Sequence, residues 1–135
     1  MRRLVLDAGP LIALVSRKDD YHELAKEGFA RLPMEFGEVL TPLSIVFEVY
    51  KFVSFNESLQ MAQKLLITLQ EETVIETLSQ DDFSEIFGMV TQYPNWSGTL
   101  EDASVLVVAQ RTQSFVWTID YKDLGFFKHI NFWTP

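Results

Sequence analysis

Four carboxylates stand where a carboxylate is costly or oddly placed: Asp7, Glu48, Asp102 and Asp120. Asp7 directly follows the apolar run Leu4-Val5-Leu6, and Asp120 follows Phe115-Val116-Trp117-Thr118-Ile119. Glu48 interrupts a segment from Leu43 to Val53 that is apolar nearly all round, the pattern of a buried helix. An ionised carboxylate there is expensive unless it is paired or bound to a metal. Asp102 lies three residues after Thr99, at the start of another helical pattern. If the four converge, their like charges repel unless shared protons or a hard divalent cation offset them. An oxygen-only donor set favours Mg²⁺ or Mn²⁺ over zinc. With no cysteine in the chain, a thiolate zinc site, a disulfide framework and a cysteine nucleophile are excluded.

Each acid also has an ordinary reading. Asp7 and Asp120 can bond the turns that follow them, the latter helped by Asp123 and Gly125. Glu48 can sit exposed beside Lys51, an i,i+3 contact worth only ~0.2–0.5 kcal/mol. Asp102 can close a capping box with Thr99, a role that leaves room for a second one. Glu101, pointing elsewhere, reads as a solvated acid at a helix start.

The elements that would position these residues alternate along the chain. Leu4 to Leu6 predicts a buried strand, with Asp7-Ala8-Gly9-Pro10 turning into a helix through Val15. Asp20 with Glu23 resembles a capping box for a second helix carrying Leu24, Ala25, Phe29 and Leu32. Val39 to Thr41 predicts a strand, Pro42 opens a helix to about Ser54, and Asn56 is placed to cap the next. Thr73 to Leu78 reads as a strand, followed by a helix from Ser79 and Asp82 towards Tyr93. After a loop over residues 94–98, Thr99 caps a helix ending near Gln113. Phe115 to Ile119 is a strand, and a last short strand is expected over Ile130 to Trp133. This alternation predicts an α/β fold: one domain over residues 1–135, a three-layer α/β/α sandwich around a central, mostly parallel sheet of four to five strands. Chemistry in such sheets collects at the carboxyl ends of the strands, which places Asp7 and Asp120 on one edge.

The charge is unevenly distributed. Lys and Arg number 11 against 19 Asp and Glu, a net charge of −8. No base occurs between Lys64 and Arg111, where Glu71, Glu72, Glu76, Asp81, Asp82, Glu85, Glu101 and Asp102 account for the whole excess. That argues against a groove that holds nucleic acid mainly by neutralising phosphates. The acids from Glu71 to Glu101 are expected to form a solvated face. Arg2 and Arg3 before an apolar run faintly resemble a signal peptide, but Asp7 and Pro10 interrupt it. No apolar stretch approaches the ~18 residues of a membrane span, so a cytoplasmic protein is expected.

Asp7-Ala8-Gly9-Pro10-Leu11 after an apolar strand, then Glu48 on a mid-chain apolar helix, resembles the PIN-domain nucleases. Leu100-Glu101-Asp102-Ala103 and Thr118-Ile119-Asp120 with Asp123-Leu124 complete the match in order and spacing over essentially the whole chain. Within that family the length is similar to a VapC-type toxin, the ribonuclease half of a toxin–antitoxin pair. The resemblance implies a Mg²⁺- or Mn²⁺-dependent endoribonuclease whose metal-binding and catalytic acids are Asp7, Glu48, Asp102 and Asp120. It gives secondary places to Thr118 and Asp123. It further implies a small antitoxin as partner and a homodimer. Lys51 and Lys122 are the nearest cations along the chain to contact RNA, with Lys128, Arg17 and Lys18 further candidates. The aromatics after Phe115 suit core and dimer packing better than base stacking. His22 and His129 lie outside every matching motif. Two competing readings are a catalytically silent PIN-like scaffold and a phosphohydrolase with Asp7 as nucleophile. The second lacks an acid two positions on, where Gly9 stands.

Overall fold

A computed structural model describes residues 1–135. The first apolar run forms strand β1 (Arg3–Leu6), whose Leu4, Val5 and Leu6 have no exposed surface. Full burial follows from its place in the sheet. With β2 (Glu38–Pro42), β3 (Val74–Glu76) and β4 (Phe115–Trp117) it forms a four-stranded sheet in the order β3-β2-β1-β4, every pair parallel. Parallel strands need crossovers, and each crossover here carries two helices. Helices α1 (Ala8–Val15) and α2 (His22–Glu35) join β1 to β2, and α3 (Leu43–Asn56) and α4 (Leu59–Glu72) join β2 to β3. Helices α5 (Gln80–Gln92) and α6 (Leu100–Thr112) join β3 to β4, and the short α7 (Tyr121–Leu124) follows β4. The fold is therefore the expected α/β arrangement, seven helices flanking a parallel sheet. No helix is long and apolar enough to cross a membrane.

Several local expectations change. The last strand shrinks to one bridge between Val116 and Phe132, because Trp133 turns in to pack edge-on against Trp117 and Phe36 at 5.2 and 5.4 Å. The box from Asp20 and Glu23 does not form. A turn over Ser16 to His22 puts Asp19 ahead of the helix, where its Oδ1 accepts the Tyr21 N–H at 2.8 Å. Asn56 closes α3 instead of opening α4: its Nδ2 donates to the Phe52 carbonyl, while Ser58 accepts the Met61 N–H. The boxes at Ser79/Asp82 and Thr99/Asp102 form as expected.

Burial of α3 also differs from its apolar pattern. Ile45, Val46, Val49 and Val53 face the core, but Phe47, Phe52 and Phe55 are exposed. The helix buried all round is α6, where every residue from Ala103 to Ala109 is buried. Helix α6 packs against β1, β2 and β4 on one side and against α3 and α5 on others, so its middle turns have no outward face and only its ends are exposed.

The acidic stretch is not wholly a solvated face. Asp82 is buried and accepts two hydrogen bonds from Arg111, at 2.9 and 3.0 Å, while Glu76 accepts a third at 2.7 Å. Burial alone would raise the Asp82 carboxyl; the Arg111 and Ser79 bonds overcome it and hold it below its usual range. The base that ends the acidic stretch thus ties the end of α6 to β3 and the start of α5. Glu71, Glu72, Asp81 and Glu85 are exposed, as expected.

Candidate active site

Asp7 is placed by register. Leu6 pairs with Trp117, and the Asp7 N–H donates to the Trp117 carbonyl at 3.1 Å, so the ends of β1 and β4 remain side by side. Thr118 exploits that alignment: its buried hydroxyl donates to Asp7 Oδ2 at 2.7 Å and accepts the Asp120 N–H at 2.9 Å. One side chain therefore orients both strand-end acids. Asp120 in turn caps α7, its Oδ1 accepting the Lys122 N–H at 3.2 Å. That short helix carries Asp123 back towards the edge, braced by the Trp96 indole donating to the Asp123 carbonyl at 2.8 Å.

Asp102 arrives from α6. Its Oδ2 accepts the Thr99 N–H at 2.9 Å and its own N–H donates to the Thr99 hydroxyl at 3.1 Å, so capping and site placement coexist. Asp102, Asp120 and Asp123 each offer a carboxylate oxygen, and these three lie within 4.8 Å of one another. Asp123 is thus as central as the acids ranked above it by motif. No lysine or arginine forms an ion pair with Asp7, Glu48 or any of these three.

The electrostatics follow from that lack of compensation. Asp7 is only 6% exposed, and burial, assisted by the charges of Asp102 and Asp120 and opposed by Thr118, pushes its pKa up to about 6. Glu48 rises to about 7, first through burial and then through the charges of Asp7, Glu101 and Asp102. Asp102 is raised by burial, with Asp120 and Asp123 adding and the Thr99 bonds opposing. Glu48 thus senses Asp7 and Asp102 from α3 and stands outside the tight cluster of three.

Glu48 lines a pocket of about 330 Å³ together with Lys51, Phe47, Phe83, Leu100 and Glu101. Lys51 shares the pocket without pairing with Glu48, which removes the surface ion-pair reading. Glu101 is partly buried where it lines this pocket, and the Ser104 hydroxyl donates to its backbone carbonyl and bonds Ser44 of α3, drawing the start of α6 against α3. The i,i+3 spacing of Glu101 and Ser104 was the available signal, since such residues share a helix face. Lys122 is exposed, with only its backbone engaged near the site. His22 is structural, its Nδ1 2.7 Å from the Ala13 carbonyl, and His129 is exposed. Trp117, Phe115 and Trp133 pack among Phe29 and Phe36, as core residues do.

No protein-family model matches the chain, and no curated protein matches it by sequence. Solved structures do match by shape. The VapC20 toxin of Mycobacterium tuberculosis, described as cleaving the sarcin–ricin loop, superposes with a TM-score of 0.81 at 16% identity, over 90% of this chain and 93% of that one. A toxin–antitoxin complex from Klebsiella pneumoniae gives 0.70 at 21% identity over 94% of each chain. VapBC2 of Rickettsia felis, bound to a promoter DNA fragment, gives 0.76 at 11% identity over 97% of each. At such identities the likeness establishes the fold: this chain has the PIN-like α/β fold of the VapC toxins.

Proposed function

We propose that this protein is a divalent-metal-dependent endoribonuclease and the toxin of a toxin–antitoxin pair. The observation that carries the reading is the uncompensated carboxylate cluster of Asp102, Asp120 and Asp123 beside Asp7, at the carboxyl edge of a parallel sheet. The donor set fits Mg²⁺ or Mn²⁺: all ligands are carboxylate oxygens, three are close enough to share an ion, and no basic side chain neutralises them. A bound ion would supply an activated water and stabilise charge on the phosphoryl oxygens.

The chain's own residues supply the rest. Asp102, Asp120 and Asp123 would hold the ion, with Asp7 at the neighbouring strand end available to it. Thr118 fixes the Asp7 carboxylate and the Asp120 backbone together, so ligand geometry exists before the substrate arrives. Glu48, on α3 beside the cluster, would complete the site directly or through a water. The apolar rim of its pocket, where Phe47, Phe83 and Leu100 are each more than half exposed, suits an antitoxin segment that lays apolar side chains on the rim and a basic one towards Glu48 and Glu101. The exposed aromatics farther along α3, Phe52 and Phe55, suit the subunit contact of a homodimer.

The test is cleavage of structured and single-stranded RNA with Mg²⁺, with Mn²⁺ and with EDTA, using Asp102→Asn as control. Metal-dependent cutting that the control lacks is expected. Equal cutting by the control, or none by the native chain with either ion, removes the enzymatic reading and leaves the scaffold.

A further inference from the structure

A second pocket lies at the ends of β1 and β4, beside the acid cluster. It measures about 460 Å³, within the range of small-ligand sites, and Gly9 and Ile119 form its floor. Both floor residues belong to the site's own strand ends: Gly9 is two residues beyond Asp7, and Ile119 lies between Thr118 and Asp120. They pack so closely that a Cβ on Gly9 would meet the Ile119 side chain at 3.3 Å. The wall comes from the turn between α1 and α2 and includes Lys18, Asp19, the exposed Asp20 and Tyr21.

That turn is held in place. The Asp19 N–H donates to the Ser16 carbonyl at 3.1 Å, the Tyr21 N–H to Asp19 Oδ1 at 2.8 Å, and His22 is tethered to the Ala13 carbonyl at 2.7 Å. Asp19 is thereby occupied by the backbone. Lys18 forms no ion pair, and Tyr21 leaves 46% of its surface exposed without stacking on another ring of the turn. A free ammonium beside an exposed aromatic ring matches the repeating unit of single-stranded RNA, a phosphate beside a base.

We propose that this pocket is a nucleotide subsite, in which Tyr21 stacks the base of a residue flanking the scissile phosphate and Lys18 holds its phosphate. The inference rests on the ribonuclease reading and adds where the substrate strand runs and what selects the cut site. Lys51 and Lys18 each line a pocket near the strand ends with two acids, Glu48 and Glu101 for the first and Asp19 and Asp20 for the second; in the second, Asp19 is engaged by the Tyr21 N–H and an exposed ring stands on the same wall.

The probe is a single-stranded oligoribonucleotide with 5-bromouridine next to its cut site. Photocrosslinked to the full-length Asp102→Asn protein, it is expected to label the peptide containing Tyr21. In cleavage, Tyr21→Ala should raise KM about tenfold or more and broaden the choice of cut site, with the loss in KM and not in kcat. Tyr21→Phe should restore both. Lys18→Gln should raise KM for all sequences and weaken its salt dependence. If the native chain cuts RNA but crosslinks elsewhere, and Tyr21→Ala keeps the native KM and cut sites, the subsite is wrong and the nuclease reading stands. If the variants weaken only capture by a protein partner, the pocket serves that partner and the proposal falls. If the native chain cuts no RNA, both readings fall.

Discussion

Replacing Asp7 by Asn should abolish cleavage and, in metal-free buffer, make the protein more stable. Asp7 is 6% exposed and its pKa rises from an ordinary 3.8 to about 6, so the folded state binds more protons than the unfolded state between those values. Stability therefore falls as pH rises through that window, and the whole penalty is present above pH 6. A rise of that size corresponds to about 3 kcal/mol against the ionised form. Asn removes the charge and keeps an oxygen for the Thr118 hydroxyl, but its amide hydrogens gain no assured acceptor, which costs about 1–2 kcal/mol. The net gain at pH 8 is then about 1–2 kcal/mol, roughly 4–8 °C in Tm for a chain of this size. The gain should shrink below pH 6, reach zero at about pH 5 and become a loss of about 1–2 kcal/mol below about pH 4, where native Asp7 is protonated and only the cost of the amide remains. Saturating Mg²⁺ should reverse the order, because an ion stabilises the native site by mass action and the variant less. Thermal melts of both proteins at pH 4, 6 and 8, with EDTA and with Mg²⁺, decide it. A variant that melts lower than the native protein at pH 8 in EDTA, or whose advantage ignores pH, would refute the assignment of Asp7 as a buried, uncompensated acid.

Three further outcomes are expected. Thr118→Val should lower cleavage about 10–100-fold while the protein remains folded, and Thr118→Ser should restore it; equal rates for Val and Thr would show that the hydroxyl orients nothing of consequence. Arg111→Met should cost about 2 kcal/mol in urea unfolding, below the 3–5 of a fully buried pair because Arg111 itself is partly solvated, and a loss under about 0.5 would count against the network. Replacing Glu71 and Glu72 by Gln should leave the cleavage rate within about twofold, whereas a collapse with the fold intact would place that face in catalysis.

What could be read in the sequence was what depends on neighbours along the chain. The fully buried β1, the turn at Asp7 and the two capping boxes are encoded within four or five residues, and each appears where its pattern predicts. The misses come from contacts between distant residues, or from near-equivalent neighbours competing for one role. Asp19 and Asp20 are chemically alike, and only the fold of the preceding turn decides which one reaches the Tyr21 N–H. Arg111 lies 29 residues from Asp82, so no periodicity announces that the acidic stretch supplies partners for the base that ends it. The exposure of Phe47 and Phe55 likewise depends on how α3 lies against α4 and α6, and not on α3 itself.

The two capping boxes show why a motif alone does not make a site. Ser79 with Asp82 and Thr99 with Asp102 start their helices through the same pair of hydrogen bonds, at 2.9 and 3.1 Å in each. Their carboxyls nevertheless shift in opposite directions. Asp82 meets Arg111, which overcomes the burial penalty and lowers its pKa; Asp102 meets Asp120 and Asp123, which add to that penalty and raise it. One acid's charge is settled within the chain and its role ends with structure. The other is held just as firmly but left without a counter-charge, and a half-buried anion among like charges is stabilised by a cation that reaches it. The capping bonds, far from competing with the site, hold Asp102 rigidly enough to bear that imbalance.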